Sequence, residues 1–278
     1  MAALMSVRSG LSLPGEIRPE VEVAVLGPVE IRGAAQPFSR SAARELVVYL
    51  ALHRRGARND VWAAALWPDR CIAPSTLHST ASVARRSLGQ AMSGADHLPR
   101  SGRRLRLEDS VGTDVERFVR AASDPDPARW KEALGLVRGR LFDGLCLSDW
   151  AVLDGTHAEL ESMVVDTALK GAEHFLRRGL GGDAEWMIRR GLRVSPYDER
   201  LYRALLWAAE AKGNRMGLRS TMAELLRVAA DGGGPAQGAQ GGFDNRGAHS
   251  SLHPQTVALY RELAQGQVPA AGRDPVRL

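Results

Sequence analysis

The sequence contains very little cysteine and no long apolar run. Only two of its 278 residues are cysteine, Cys71 and Cys146, which are too few for a disulfide framework or a four-ligand zinc site. We expect both to be small buried apolar side chains. No stretch approaches the roughly 18 apolar residues of a spanning helix, and the first residues lack the apolar core of a signal peptide. These absences indicate a cytoplasmic protein that does not enter a membrane.

Catalytic motifs are missing as well. The sequence has no Gly-rich loop followed by Lys-Ser or Lys-Thr, no G-x-G-x-x-G after a strand, no H-E-x-x-H and no G-x-S-x-G. His157 stands near Glu159 and Glu161, but we expect their helical spacing to keep these side chains from sharing a face well. The sequence therefore predicts that the protein is not an enzyme and that it uses no cofactor and no metal.

Basic charge is abundant but comes almost entirely from arginine. Three lysines and 34 arginines stand against 32 acidic residues, which gives a net charge of +5. Residues 1–110 hold 15 basic and 10 acidic groups, whereas residues 111–278 hold 22 of each. A basic domain beside a neutral one is typical of a protein whose first domain binds a polyanion. Ordinary scatter of charge along the chain is the alternative.

The first part of the chain alternates short strands and helices. Residues 21–27 and 29–33 are rich in β-branched residues and predict two strands. Apolar residues then recur at intervals of three and four, so we expect a helix that opens at Ser39. A shorter helix follows, with Asn59 as its N-cap and Pro68 as its stop.

A third helix is marked at both ends, by Pro74 in its first turn and by Gly89 after its last residue. One narrow apolar stripe along it should face the core, and this stripe consists of Leu77, Ala81, Ala84 and Leu88. The remaining faces are polar, which is typical of either a solvated surface or a binding surface.

Residues 97–107 predict a β-hairpin that turns at Ser101-Gly102. Its leucines should lie on one face and its arginines on the other. The order of helix, short helix, polar-faced helix and basic hairpin is typical of a winged helix-turn-helix. In that fold the third helix enters the major groove and the hairpin contacts phosphates.

The polar side of the third helix carries hydroxyl and basic groups. Hydroxyls can bond phosphates or base edges, and arginine can bond guanine at two positions. The predicted DNA-binding residues are Ser75, Thr76, His78, Ser79, Ser82, Arg85 and Arg86 of this helix, together with Arg100, Arg103, Arg104 and Arg106 of the hairpin.

From Asp114 onward the pattern becomes one helix after another. Helix openings at Gly182-Asp183 and Gly213-Asn214 lie 31 residues apart, a spacing that suggests a helical-repeat array. The predicted fold class is therefore mainly α with small β elements, a winged helix-turn-helix followed by tetratricopeptide-like repeats. The predicted domains are a flexible leader (1–20), the winged helix (21–110), a helical domain (111–265) with a Gly-rich loop at 231–247, and a flexible tail (266–278).

An ordered series of motifs runs through both domains: ALWPD, ARRSLG, DVERF, LVRGRLF and P-x-x-E-x-L. Over about residues 21–265 the chain resembles the Streptomyces antibiotic regulatory protein family, which joins an OmpR-like winged helix to a bacterial transcriptional activator domain. The resemblance implies a transcriptional regulator that binds promoter repeats of double-stranded DNA as a homodimer and contacts RNA polymerase, and an additional regulatory protein is a further possible partner.

The sequence departs from that family at two positions of the third helix, where His78 and Val83 replace expected arginines. If each change removes one phosphate contact, the slope of log K for DNA binding against log salt concentration falls by roughly 0.9 per contact. The alternative function is thus a diverged interaction or scaffold protein with weak or no autonomous DNA binding.

Overall fold

The structure is a computed structural model that describes residues 19–100, 104–145, 149–232 and 252–266. The chain divides into two compact units. Of the described residues, those within 19–123 and 136–161 belong to the first unit, and those within 124–135 and 162–266 belong to the second. These units are divided differently from the predicted domains, because the chain returns to the first unit after residue 135. The predicted leader, Gly-rich loop and tail lie almost wholly outside the described residues.

Short strands occur only in the first unit among the described residues, and helices occur in both units. The strands are β1 (Val21–Ala24), β2 (Glu30–Arg32), β3 (Ala57–Arg58), β4 (Arg104–Leu105) and β5 (Val111–Thr113). The helices are α1 (Ser41–Leu52), α2 (Asn59–Leu66), α3 (Pro74–Leu88), α4 (Asp114–Ser123), α5 (Pro127–Gly135), α6 (Asp149–Leu153), α7 (Thr156–Leu176), α8 (Gly181–Val194), α9 (Glu199–Ala211), α10 (Arg215–Gly232) and α11 (Pro254–Ala264).

A three-stranded sheet in the order β2-β1-β5 holds one side of the first unit. β1 is antiparallel to β2 and parallel to β5, so Val23 lies opposite both Ile31 and Thr113. Both predicted strands are present but shorter than expected. The chain leaves β1 through Gly27, whose φ is +152°, and a Cβ added there would lie 2.7 Å from Cβ of Arg138. Only glycine allows this close passage.

The first two helices begin slightly away from their predicted caps. α1 has Arg40 rather than Ser39 at its N-cap, and no side chain caps it. Nine of its 12 residues are buried, so packing rather than capping fixes its start. Asn59 is the first residue of α2, and its Oδ1 accepts a hydrogen bond from Nε1 of Trp62 at 3.2 Å.

The segment around β4, residues 100–107, which we term the wing, is built differently from the predicted hairpin. β4 pairs antiparallel with β3, with Ala57 opposite Leu105, and residues 97–100 form no strand. The predicted pairing within 97–107 is therefore wrong. The physical reason is that the 97–98 run is bonded to the end of α3: the amide of His97 donates to the carbonyl of Gly89, and Arg85 donates to the carbonyl of Leu98.

A buried carboxylate joins three parts of the first unit. Asp114, at the start of α4, is 3% exposed and accepts hydrogen bonds from the amides of Val25 and Leu26 at 2.9 to 3.0 Å. Nη2 of Arg138 lies 3.7 Å from its Oδ2. The amide of Arg138 in turn donates to the carbonyl of Leu26, and that of Phe142 donates to the carbonyl of Val25. The segment after residue 135 is thus bonded beside the end of β1.

Aromatic rings fasten α6 to α1 within the same unit. Tyr49 stacks on His53 with 4.0 Å between ring centroids, and Trp150 meets the ring of Tyr49 edge-on at 5.0 Å. Nε2 of His53 lies 3.4 Å from Oδ2 of Asp154. Phe142 packs edge-on against Trp150 at 6.1 Å. Residues from well beyond position 110 therefore complete the core around α1.

The second unit consists of packed helices. α9 contacts α8, α10 and α11. The first residues of α8 and α10, Gly181 and Arg215, lie 34 positions apart, which is the length of a tetratricopeptide repeat. A Cβ added at Gly191 would lie 3.0 Å from Ala168 and from Leu201, so this glycine lets α7, α8 and α9 approach closely. The predicted helical-repeat fold class is confirmed.

Glu45 is an acidic residue in the core of the first unit. It is 2% exposed, and its Oε1 has no hydrogen-bond partner among the described residues. Burial raises the pKa of Glu45 to about 7, and the carboxylate of Asp149 adds to this. The indole N–H of Trp150 offsets only part of the shift, because it is not in hydrogen-bonding geometry. Between the ordinary pKa of 4.5 and about 7, the folded protein keeps a proton on Glu45 that the unfolded chain releases. The free energy of unfolding therefore falls as pH rises through that window.

We expect Glu45→Gln to stabilise the protein more at pH 8 than at pH 5, by about 1–3 kcal/mol, because glutamine keeps the shape and loses the buried charge. Urea unfolding at the two pH values measures this difference. Asp149→Asn, which neutralises an exposed neighbour, is the control and should change stability by less than about 0.5 kcal/mol. Equal effects of Glu45→Gln at both pH values would contradict the account.

Candidate nucleic-acid interface

Helix α3 runs from Pro74 to Leu88, as predicted, and is closed by Gly89 at φ +79°. Its 15 residues span about 22 Å. Ala81, Ala84 and Leu88 of the predicted stripe are buried, while Leu77 is half-buried. The buried side is wider than the stripe, because Thr80 and Ser87 are also buried. Packing on this side leaves the opposite side open.

We define the polar face of α3 as the opposite side, which carries Ser75, His78, Ser79, Ser82 and Arg86, together with Thr76, an exposed residue of the first turn. Ser75, Thr76, His78 and Arg86 are exposed, and the other two serines are half-buried. The face therefore carries short hydroxyl groups toward its start and a cation in its last turn. Small donors along a helix that protrudes with its side chains uncovered can bond phosphates and base edges.

Arg85 is held by the protein rather than by solvent. Its Nε donates a hydrogen bond to the carbonyl of Leu98 at 2.7 Å, and the side chain is half-buried. Burial lowers the pKa of Arg85, and the nearby charge of Arg100 lowers it further. Arg85 thus supports the base of the wing, whereas its neighbour Arg86 points outward.

Arg40, which the sequence did not indicate, lies beside the polar face of α3. Its Nη1 donates a hydrogen bond to Oγ of Ser79 at 2.6 Å, and the residue is exposed. It brings a cation from the start of α1 to the middle of α3. Because the two residues lie 39 positions apart, no local pattern could have revealed this contact.

The wing arginines differ in how they are held. Arg104 donates from Nε and Nη2 to the carbonyls of Arg55 and Gly56, each at 2.9 Å. Arg106 donates to Asp109 at 3.2 Å, in an exposed pair that costs little to exchange. Arg100 is exposed, and the predicted Arg103 lies outside the described residues. Leu105 and Leu107 are buried, whereas Arg104 and Arg106 are exposed, as expected.

The charge balance of this surface favours an anionic partner. Within the described chain, Arg40, Arg86 and Arg100 form no ion pair with a carboxylate, whereas Arg32 and Arg58 are bonded to acidic side chains. Cations without acidic neighbours are available to phosphate groups.

Other chemistry finds little support in the described part of the chain. It contains no group of three or more His, Cys, Asp or Glu side chains placed to hold a metal, and none of its helices combines the length and apolarity needed to cross a bilayer. Cys71 is exposed, so the expectation that it is buried was wrong, and Cys146 lies outside the described residues. His157 lies 3.8 Å from Glu161, since residues four apart do share a helix face.

Comparison with known proteins supports the fold. No protein-family model matches the chain, and no curated protein matches it. Among solved structures, the chain is similar to Mycobacterium tuberculosis EmbR in complex with a low-affinity phosphopeptide, with a TM-score of 0.59 and 21% sequence identity. The likeness covers 93% of this chain and 69% of the EmbR chain. It establishes the mainly helical fold of a winged helix followed by helical repeats.

The different settings of Arg85 and Arg86 predict different stability effects. Arg85→Ala should lower the free energy of unfolding by about 1–2 kcal/mol, because it removes a charged hydrogen bond and half-buried packing. Arg86→Ala should change it by no more than about 0.5 kcal/mol. Urea unfolding followed by circular dichroism measures both, and equal losses would contradict the assignment of Arg85 as a support.

Proposed function

We propose that the protein is a DNA-binding transcriptional regulator whose first unit binds double-stranded DNA. The observation that carries this proposal is the polar face of α3, uncovered on a winged-helix fold, with Arg86 and Arg40 unpaired by any carboxylate of the described chain. A helix displayed in this way fits the major groove, and a wing beside it can follow the phosphate backbone.

Each part of the surface has a distinct role in the proposal. Ser75 and Thr76, in the first turn of α3, bond backbone phosphates, where the positive end of the helix dipole favours anions. His78, Ser79 and Ser82 reach base edges or sugar-phosphate groups. Arg86 and Arg40 supply the charge that neutralises phosphates. Arg100, Arg103, Arg104 and Arg106 of the wing contact the backbone of the same duplex, and Arg85 acts by holding the wing.

The proposal predicts modest rather than strong affinity. His78 and Val83 stand where the resembled family has arginine, and Arg85 is engaged with Leu98. Fewer cations are therefore free to displace counterions. The affinity for DNA should depend less steeply on salt than the affinity of a fully basic winged helix does.

The remaining parts of the proposal follow the family resemblance. Two copies of the chain bind promoter repeats as a homodimer, and the helical repeats supply a surface for RNA polymerase or an additional regulatory protein. Because promoter DNA is its ligand, the protein acts in the cytoplasm. It performs no catalysis and needs no cofactor.

We expect Arg40→Ala plus Arg86→Ala to reduce the slope of log K against log salt by roughly 1.8, which is about 0.9 for each lost phosphate contact. The measurement is a fluorescence-anisotropy titration of promoter duplexes at several salt concentrations. Arg32→Ala, which removes an arginine from strand β2, is the matched control and should leave the slope unchanged.

Negligible and equal affinity of the unmodified chain for promoter and random duplexes at physiological salt would contradict the proposal. That result would favour the alternative function, an interaction or scaffold protein that keeps the regulator architecture without autonomous DNA binding.

A further inference from the structure

A cavity of about 340 Å³ opens on the second unit, beside α5 and the last turns of α7. It is lined by Trp130, Lys170, Glu173, His174, Arg177 and Arg178. The lining brings three cations, Lys170, Arg177 and Arg178, and one acid, Glu173, to the same space.

Lys170 and His174 lie one turn apart on one face of α7. Arg178, in the turn that follows the helix, donates a hydrogen bond to His174. The acid of the cavity, Glu173, is bonded to Arg177 at 2.7 Å on the adjacent face. Glu173 therefore neutralises Arg177, whereas Lys170 and Arg178 pair with no carboxylate of the described residues.

The three lysines of the chain make the contrast clear. Lys131 is paired with Asp183, and Lys212 is paired with Glu185. Lys170 instead lies with its Nζ 4.0 Å from the ring centroid of Trp130, and no carboxylate of the described residues pairs with it. A lysine over an aromatic ring keeps its charge and its remaining N–H groups available to an anion.

The wall of the cavity is fixed in place. Trp130 is 6% exposed, and its indole N–H donates to the carbonyl of Asp124 at 2.6 Å. His174 meets the ring of Trp130 edge-on at 5.6 Å and accepts a hydrogen bond from Arg178. Trp130 and His174 are thus held in place before any ligand arrives, which reduces the entropy cost of ordering these two side chains on binding.

We propose that this cavity binds the phosphoryl group of a small phosphate ester, with Lys170 and Arg178 supplying the charge and His174 a hydrogen bond. Two cations and several N–H donors match a dianion better than a single carboxylate. The volume is on the order of ten water molecules, which leaves room for the organic part of the ester beside its phosphoryl group. The proposal does not depend on DNA binding by the first unit.

His174 provides a direct reporter of the site. Burial lowers its pKa, and the charges of Arg178 and Arg177 lower it further. A dianion bound between these groups counteracts the arginine charges, so the pKa of His174 rises on binding. An NMR pH titration that follows the His174 ring resonances of the full chain measures this change in pKa.

The test titrates the full chain with inorganic phosphate, glycerol 3-phosphate and AMP, each by isothermal calorimetry and by the His174 signal. We expect saturable binding and a rise in the His174 pKa. Lys170→Gln plus Arg178→Gln should weaken binding at least about tenfold, because two charge-assisted contacts are lost. Arg193→Gln plus Arg219→Gln removes the same charge from exposed positions of the same unit and should leave the affinity unchanged. Tighter binding of an ester than of inorganic phosphate identifies the ester as the ligand, and equal binding identifies the free anion.

Several results would overturn the proposal. One is a heat or pKa response that does not saturate, and another is equal weakening by the two double variants. A third is complete displacement of phosphate by equimolar acetate, which would show a general affinity for anions. A fourth is that Lys170→Gln plus Arg178→Gln weakens duplex DNA binding as strongly as phosphate binding, which would place the cavity on the DNA surface. Matching thermal melts of the variants and the unmodified chain establish that folding is intact.

Discussion

The first unit depends on the buried carboxylate of Asp114. Removing this charge from water is costly, and burial raises the pKa of Asp114 to about 6. Hydrogen bonds from the amides of Val25 and Leu26 and the charge of Arg138 offset this cost, so the group is ionised at neutral pH. This one side chain, at the first residue of α4, accepts the backbone hydrogen bonds at the end of β1 and lies beside the guanidinium of Arg138. The motif DVERF therefore connects α4 to the end of β1, and α1 packs on this sheet and contacts α3 in turn.

Arginine has two different physical uses in this unit. Arg44, Arg54, Arg85 and Arg104 donate to backbone carbonyls, where a planar group with five N–H donors replaces water at the ends of strands and helices. Arg40, Arg86 and Arg100 have no carboxylate partner within the described residues and lie exposed around α3 and the wing. The net positive charge of residues 1–110 is thus larger than the charge available to a ligand, because several of these arginines are hydrogen-bonded to backbone carbonyls.

Local signals predicted the features that are set locally. Pro74 and Gly89 fix both ends of α3, because one restricts the first turn and the other adopts a positive φ, and the apolar spacing then determines which side is buried. Features set by distant residues were missed. β4 pairs with β3 across 46 to 48 positions rather than with residues 97–100, and Arg40 reaches Ser79 across 39. The wing pairing and the full charge of the candidate site could not be obtained without the tertiary structure, since no period or cap encodes them.

In the proposed function, α3 and its neighbouring arginines read DNA sequence. The most direct measurement is recovery and sequencing of genomic fragments bound by the purified full chain at physiological salt, compared with the Arg40→Ala plus Arg86→Ala variant. The account predicts that the unmodified chain enriches fragments sharing a repeated motif near promoters and that the variant loses this enrichment. Recovery of the same fragments by both proteins, or of fragments with no shared sequence, would contradict it.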